Sequence, residues 1–70
     1  MSTPTLKKLA VKIQDERKKR GFSQESFAHK IGVHRTYIGM IERAEKNITI
    51  GNLEKIAKGL DISLSKLLDF

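Results

Sequence analysis

The stretch that decides the fold is QESFAHKIGVHRTYIGMIER, residues 24–43. Its apolar residues recur at helical intervals on both sides of Gly32, so the stretch divides into two short segments. These residues are Phe27, Ala28, Ile31, Val33, Ile38 and Ile41. Gly32 can supply the positive φ of a sharp turn, and Ala28 is small where the two segments must approach closely. The stretch therefore predicts two short helices joined by a glycine turn.

The flanking sequence predicts three more helices and no strand. Helix 1 is expected to begin near Thr3 or Thr5 and to run to about Arg20, with Pro4 in its first turn. Helix 4 spans about Ile50 to Gly59, and helix 5 runs from about Leu64 to the end of the chain. The last four helices share one opening pattern, an apolar residue, a cap and a second apolar residue four positions into the helix. The predicted caps are Ser23, His34, Thr49 and Ser63.

Length and composition restrict the class of protein. Seventy residues make one domain, near the lower limit for a self-sufficient core. The chain has no cysteine, which excludes disulfides and thiolate metal sites and fits a reducing compartment. The first residues contain no apolar signal region, and no run approaches the ~20 apolar residues of a membrane span. We expect a soluble cytoplasmic protein.

The positive charge is concentrated in the first half of the chain. The net charge is +6, and residues 1–35 hold nine Lys and Arg against three Asp and Glu. Residues 36–70 hold five of each sign. A basic surface favours nucleic acid as a partner, although basic residues also keep a small domain in solution.

The stretch at residues 24–43 resembles the helix-turn-helix of phage repressors and Cro proteins. The match begins at Arg17 and GFSQ (21–24), and it continues through IER (41–43), ITI (48–50) and LEKIA (53–57). The resemblance implies an all-α, compact five-helix, lambda-repressor-like domain that spans residues 1–70. Helices 2 and 3 would form the motif, and helix 3 would enter the major groove of double-stranded DNA.

One charged residue lies on the apolar stripe of helix 1. Arg17 continues the helical spacing of Leu6, Leu9, Ala10 and Ile13, so its guanidinium points at the core. A buried arginine needs a carboxylate, and the candidate is Glu42 on the inner face of helix 3. The resemblance implies the same structural ion pair. Two solvated charges are the alternative.

A helical wheel at ~100° per residue separates helix 3 into two arcs. The inner arc holds His34, Tyr37, Ile38, Ile41 and Glu42, and the outer arc holds Arg35, Thr36, Gly39, Met40 and Arg43. Arg35 lies in the first turn and can donate two parallel hydrogen bonds to guanine. Thr36 can offer its hydroxyl to a base and its methyl group to thymine. Met40 packs on thymine or is a spectator, and Gly39 lets the backbone approach a base or a phosphate.

A second set of residues is expected to contact the DNA backbone. Gln24 corresponds to the phosphate-binding glutamine of the family, and the N-terminus of helix 2 adds its dipole. The Tyr37 hydroxyl reaches a phosphate or simply packs on the rim of the core. By resemblance the loop with Arg43, Lys46 and Asn47 lies along the sugar–phosphate backbone. Glu45 would be repelled there and should point away.

The C-terminal residues are apolar beyond the needs of a small core. Leu64, Leu67, Leu68 and Phe70 are the predicted dimer surface, with part of the set closing the core over helix 1. A single recognition helix reads few base pairs, so we expect a homodimer on a pseudo-palindromic operator with half-sites ~34 Å apart.

Three functional classes follow from these observations. Two segments look like those of the controller proteins of restriction–modification systems, namely HRTYI (34–38) and NITI (47–50). Such controller proteins regulate their own promoter. A Cro-like repressor or an antitoxin-type autorepressor would have a similar sequence. A bridging module that binds only proteins would not need Arg35 and Thr36. The sequence has no nucleophile–base pair that would indicate an enzyme, and His29 and His34 do not share a helix face on which they could bind a metal. We expect no cofactor, and no small-molecule effector because no second domain follows helix 5.

Overall fold

The computed structural model describes residues 3–70, which contain five α-helices and no strand. The helices are α1 (Pro4–Lys19), α2 (Gln24–Ile31), α3 (Arg35–Glu42), α4 (Ile50–Gly59) and α5 (Leu64–Leu67). The all-α prediction and the approximate bounds of helices 1 and 4 are confirmed, and α2 and α3 begin after the predicted caps Ser23 and His34. The expected length of helix 5 is wrong, because α5 is a single turn that ends at Leu67. In the described residues, no helix combines the length and the hydropathy that a membrane crossing requires.

Each helix begins at a side chain that accepts a backbone hydrogen bond. The hydroxyls of Thr3, Ser23, Thr49 and Ser63 each accept from the N–H three residues later, at 2.9–3.2 Å. At α3 an imidazole is the cap, because Nδ1 of His34 accepts a hydrogen bond from the backbone N–H of Thr36 at 3.1 Å. These caps satisfy donors that the first turn of a helix leaves unpaired.

The turn between α2 and α3 has the predicted left-handed glycine. Gly32 adopts φ +76° and ψ +34°. The backbone N–H of Val33 donates to the Ala28 carbonyl at 3.0 Å, which closes the last turn of α2. An L-residue would be strained at this φ, so the angle between the two helices depends on glycine.

The core lies between the helix-turn-helix and the other three helices. Its fully buried members come from every helix, namely Ile13, Phe27, Ile38, Ile41, Ile56, Leu60 and Leu67. Gly59 on α4 lets that helix contact α2, because a Cβ there would overlap the Cγ2 methyl of Ile31. One face of α2 and one face of α3 therefore pack on the core, and their other faces are exposed.

The predicted Arg17–Glu42 pair is present and buried. Arg17 donates from Nε to Oε2 at 2.7 Å and from Nη2 to Oε1 at 2.9 Å, and its Nη1 donates to the Phe22 carbonyl at 2.7 Å. Only 7% of the Arg17 side chain and 1% of the Glu42 side chain are exposed, so the alternative of two solvated charges is wrong. The hydrogen bond to Glu42 raises the pKa of Arg17 above its ordinary value. This bidentate pair joins α1 to α3.

Candidate nucleic-acid interface

The exposed face of α3 differs from the predicted outer arc at two residues. Arg35, Thr36 and Arg43 are exposed, and Met40 is partly exposed, as the wheel predicts. Gly39 is instead buried, because the side chains of Arg43 and Gln24 cover it. A Cβ at this position would lie 3.1 Å from Nη1 of Arg43. The placement of Gly39 on the exposed arc is therefore wrong for the free protein, while the approach of its backbone to a base or phosphate stays a prediction.

His34 also departs from the wheel. The wheel places it on the inner arc, whereas the structure exposes it at the start of α3, where it caps the helix. A cap lies outside the regular helix, so the helical wheel does not apply to it.

Arg35 makes an ion pair across the motif. Its Nη1 lies 3.0 Å from Oε2 of Glu25 on α2, and both side chains are more than 60% exposed. Because Glu25 uses one edge of the guanidinium, other N–H groups remain available for a bidentate hydrogen bond to guanine. Nothing in the sequence spacing indicated this pair, which joins residues on two different helices.

Arg43 is paired as well. Its Nε lies 3.0 Å from Oε2 of Glu45, and this hydrogen bond raises the pKa of Arg43. Glu45 is therefore paired in the free protein, and its expected position away from the DNA backbone stays a prediction. Ala44 lies between them with a positive φ of 56°, and this reversal of the chain brings the two side chains together.

Gln24 is held in place by the buried ion pair. Its Nε2 donates to Oε1 of Glu42 at 3.0 Å, so Gln24, Glu42 and Arg17 form one hydrogen-bonded network. A primary amide has two N–H groups, and one therefore remains for a phosphate. The backbone N–H of Gln24 is in the first turn of α2, where no intrahelical acceptor exists. Both donors suit an anion at this helix end.

Tyr37 packs on the rim of the core, and the alternative that its hydroxyl reaches a phosphate stays a prediction. The residue is partly buried and packs against the core, while its hydroxyl accepts a hydrogen bond from Nδ2 of Asn52 at 2.8 Å. Asn52 lies on α4 and was not singled out in the sequence, because a contact over fifteen residues leaves no spacing signal. Lys46 and Asn47 are exposed on the loop between α3 and α4, as expected.

The predicted dimer residues divide into two groups. Leu67 is fully buried in the core and Leu64 packs against it, so Leu67 cannot form an exposed interface. Leu68 and Phe70 are 41% and 49% exposed. Val11 on α1 is also exposed and shares a surface groove with Phe70. The exposed apolar surface is therefore smaller than predicted and includes a residue of α1.

A buried carboxylate on α1 was missed entirely. Glu16 accepts from Nη1 of Arg20 at 2.7 Å and from Nζ of Lys19 at 3.3 Å, and Nζ of Lys12 lies 3.6 Å away. The hydrogen bond from Arg20 is the main reason that the pKa of Glu16 falls from 4.5 to about 2, although burial opposes it. The spacing of three and four residues between Glu16 and these cations is visible in the sequence, but the burial of the carboxylate is not.

Within residues 3–70, no three His, Asp or Glu side chains come together as a metal site. The exposed groups near α3 include hydrogen-bond donors and the cations Arg35 and Arg43, each of which is paired with an exposed carboxylate. Such groups can bind phosphates and base edges.

Comparisons with known proteins give consistent matches. The family model described as "Helix-turn-helix" matches residues 13–67. The control protein C.SmaI of Serratia marcescens is 45% identical over 60 residues, which cover 86% of this chain and 71% of that protein. The crystal structure of the restriction–modification controller protein C.AhdI from Aeromonas hydrophila superposes with a TM-score of 0.85 at 35% identity, covering 89% of this chain and 90% of that one. The controller protein C.Esp1396I, solved as a tetramer in complex with its natural 35-base-pair operator, gives a TM-score of 0.84 at 38% identity, covering 96% and 97%.

Proposed function

We propose a function from one premise: this chain belongs to the helix-turn-helix family. The protein is a sequence-specific regulator that binds double-stranded DNA, and it serves as the controller protein of a restriction–modification system. The chain acts on its own promoter in the cytoplasm and has no catalytic role. The observation that carries the proposal is the likeness to C.Esp1396I, whose tetramer was solved on its natural 35-base-pair operator. That likeness covers almost the whole of both chains.

The exposed face of α3 supports this function chemically. Arg35 donates to O6 and N7 of a guanine in the major groove, and Thr36 beside it contacts a base edge or a thymine methyl group. Met40, one turn later, packs on thymine. These groups stand on a helix that the core and the Arg17–Glu42 pair fix from behind. A rigid support is what base reading requires, since the hydrogen bonds depend on sub-ångström placement.

Contacts to the DNA backbone come from both sides of α3. Gln24 supplies its remaining amide N–H and the N-terminus of α2, and Tyr37 supplies its hydroxyl. Arg43, Lys46 and Asn47 lie on the far side at the end of α3 and in the loop that follows. Gly39 enters the interface only if the side chains of Arg43 and Gln24 move off it on binding. Such contacts set the register of the protein on the duplex and carry no sequence information themselves.

The protein binds as a homodimer. Two copies of α3, ~34 Å apart, read the half-sites of a pseudo-palindromic operator. Leu68 and Phe70 belong to the dimer surface, with Leu64 at its edge, and a multimer agrees with the tetrameric state of C.Esp1396I on its operator. Two copies are needed because each helix reads only a few base pairs.

A binding experiment tests the proposal directly. A pool of random-sequence duplexes is passed through several rounds of gel-shift selection with the wild-type protein. The expected result is enrichment of a pseudo-palindromic duplex that random competitor DNA does not displace. A protein that binds no duplex at low salt, or that binds every duplex equally, would contradict the proposal and favour a module that bridges other proteins.

A further inference from the structure

We infer that Asn52 is a positioning residue for DNA binding, because it orients the Tyr37 hydroxyl toward a phosphate. The inference rests on the proposed function. It assigns a role to a residue of α4, outside the helix-turn-helix, whose side chain donates a hydrogen bond to this hydroxyl.

The hydrogen bond between the two residues has a defined direction. Nδ2 of Asn52 lies 2.8 Å from the Tyr37 hydroxyl oxygen, and the contact is partly buried. An amide nitrogen only donates, so the phenol oxygen must accept here. The phenol proton therefore points away from Asn52. A hydroxyl that accepts one hydrogen bond is also a better donor in the next one.

The phenol proton has no acceptor among the described residues. In the described part of the chain, the contact with Asn52 is the one hydrogen bond that the Tyr37 side chain makes. Tyr37 follows Thr36 on α3, which is exposed on the predicted base-reading face. A neutral donor at the rim of that face, with its acceptor side already occupied, matches a phosphate oxygen, which only accepts.

The geometry of α4 makes Asn52 a clean position to change. Its backbone N–H donates to the Thr49 hydroxyl, which caps α4, and every residue except proline supplies that group. Alanine at this position keeps the cap, and aspartate in a first helical turn is favourable to the helix. Loss of the side chain should therefore leave the fold intact.

The experiment is a double-mutant cycle with Asn52→Ala and Tyr37→Phe. The probe is a duplex that the wild-type protein selects from a random-sequence pool, and the measurement is its dissociation constant by fluorescence anisotropy. Loss of a hydrogen bond to a charged group should make Tyr37→Phe bind ~10- to 100-fold more weakly. Asn52→Ala should cost ~2- to 10-fold, and it should cost nothing further in the Tyr37→Phe background.

A third variant reverses the polarity of the contact. Asn52→Asp replaces the donor by an acceptor of the same shape, which takes the phenol proton for itself. We expect it to weaken binding more than Asn52→Ala does, and to lose most of that excess in the Tyr37→Phe background. The part that remains is the repulsion between the new carboxylate and DNA.

Two further readouts separate positioning from a structural effect. Because the phenol carries no charge, Tyr37→Phe and Asn52→Ala should leave the slope of log K against log salt unchanged. The chain has one tyrosine and no tryptophan, so its emission reports Tyr37 alone. Duplex binding should change this emission in the wild-type protein and should change it less in Asn52→Ala.

The control is Gln14→Ala, which removes an amide from α1 outside the predicted interface and should bind like the wild type. Additive losses from Asn52→Ala and Tyr37→Phe would overturn the inference, because Asn52 would then act independently of Tyr37. Unchanged binding by Tyr37→Phe would overturn it as well and leave the proposed function intact. A wild-type protein that binds no duplex would overturn both.

Discussion

Arg17 is the residue on which the polar network of this molecule depends. Its guanidinium holds both oxygens of Glu42 and the Phe22 carbonyl, and Glu42 in turn holds Gln24. Arg17→Ala should lower the free energy of unfolding by about 3–5 kcal/mol, because it leaves the buried Glu42 carboxylate without its cationic partner. Urea unfolding measures the change. Lys18→Ala, at an exposed neighbouring position, should stay within ~0.5 kcal/mol of the wild type. An Arg17→Ala variant that melts at the wild-type temperature would contradict the prediction.

Arg35 and Lys46 should differ in the kind of binding energy that they supply. Arg35→Ala is expected to cost ~1–3 kcal/mol and to relax the preference at one base position. Lys46→Ala should weaken binding to all sequences alike and flatten the dependence on salt. A panel of selected duplexes with single base changes, titrated at several salt concentrations, measures both effects. Identical behaviour of the two variants would contradict the assignment of Arg35 to a base contact and of Lys46 to a phosphate contact.

Glu16 makes the stability of the fold sensitive to acid. Its pKa is about 2 in the folded protein, against an ordinary value of 4.5, mainly because of the hydrogen bond from Arg20. A carboxyl whose folded pKa is lowered stabilises the fold fully above its unfolded pKa, and this stabilisation is lost as the pH falls from about 4.5 toward 2. Glu16→Gln should therefore be less stable than the wild type near neutral pH and should lose less stability over that acid range. Thermal melting at several pH values checks this, and parallel curves would contradict it.

The residues that sequence reasoning identified and those that it missed differ in one physical respect. Arg17 was predicted because a charge on an apolar helical stripe requires a partner. Asn52 and Glu25 were missed because their contacts, with Tyr37 and Arg35, join exposed or half-exposed polar groups on different helices. Polar residues on a helix surface are compatible with many neighbours, so their pairing follows from the packing of the helices and not from spacing.

At the scale of the elements, the contact between α2 and α4 depends on the absence of one side chain. A Cβ at Gly59 would overlap Ile31 Cγ2 and lie 3.1 Å from Cε1 of Phe27. Gly59→Ala should therefore destabilise the fold by about 1–3 kcal/mol, even though alanine is the better helix former. Gly51→Ala on the same helix is the matched control, because the nearest atom, Thr49 Oγ1, lies 4.0 Å away. That variant should gain up to ~1 kcal/mol. Equal unfolding midpoints for the two variants would contradict the prediction that a side chain at position 59 separates α2 from α4.

The boundaries of the helices could be predicted where caps mark them. The predicted caps precede α2, α4 and α5 as expected, at Ser23, Thr49 and Ser63. His34 could also be predicted as the cap of α3, because an apolar residue precedes it and another follows four positions later. The end of α5 carries no such signal. Two adjacent leucines, Leu67 and Leu68, therefore look equivalent in the sequence, and only the packing shows that the first is buried and the second exposed.

At the scale of the whole molecule, the C-terminal apolar residues should separate folding from assembly. Leu67→Ala should destabilise the protein by about 2–5 kcal/mol, because Leu67 lies in the core. Leu68→Ala and Phe70→Ala should leave the monomer folded and weaken the dimer. Sedimentation equilibrium, together with thermal melting, distinguishes the two effects. Unchanged association in both surface variants would remove Leu68 and Phe70 from the proposed interface.

Binding of the intact dimer to DNA should depend steeply on salt. With ~6–10 phosphate contacts, affinity should fall about 10³- to 10⁵-fold between roughly 50 and 200 mM salt. Anisotropy titrations at constant protein stock and increasing salt measure this slope. A nearly flat dependence would be incompatible with a basic face that neutralises phosphates.

The chain of hydrogen bonds from Arg17 through Glu42 to Gln24 also bears on genetics. Its outermost member, Gln24, is the proposed phosphate contact, while its innermost member, Arg17, is buried. Screens for regulators that no longer silence or switch on a reporter should then recover alleles at codons 17 and 42 beside those at codons 35 and 36. Such alleles would have the phenotype of mutations in the base-reading face of α3, although the substituted residues only support that face from the protein interior.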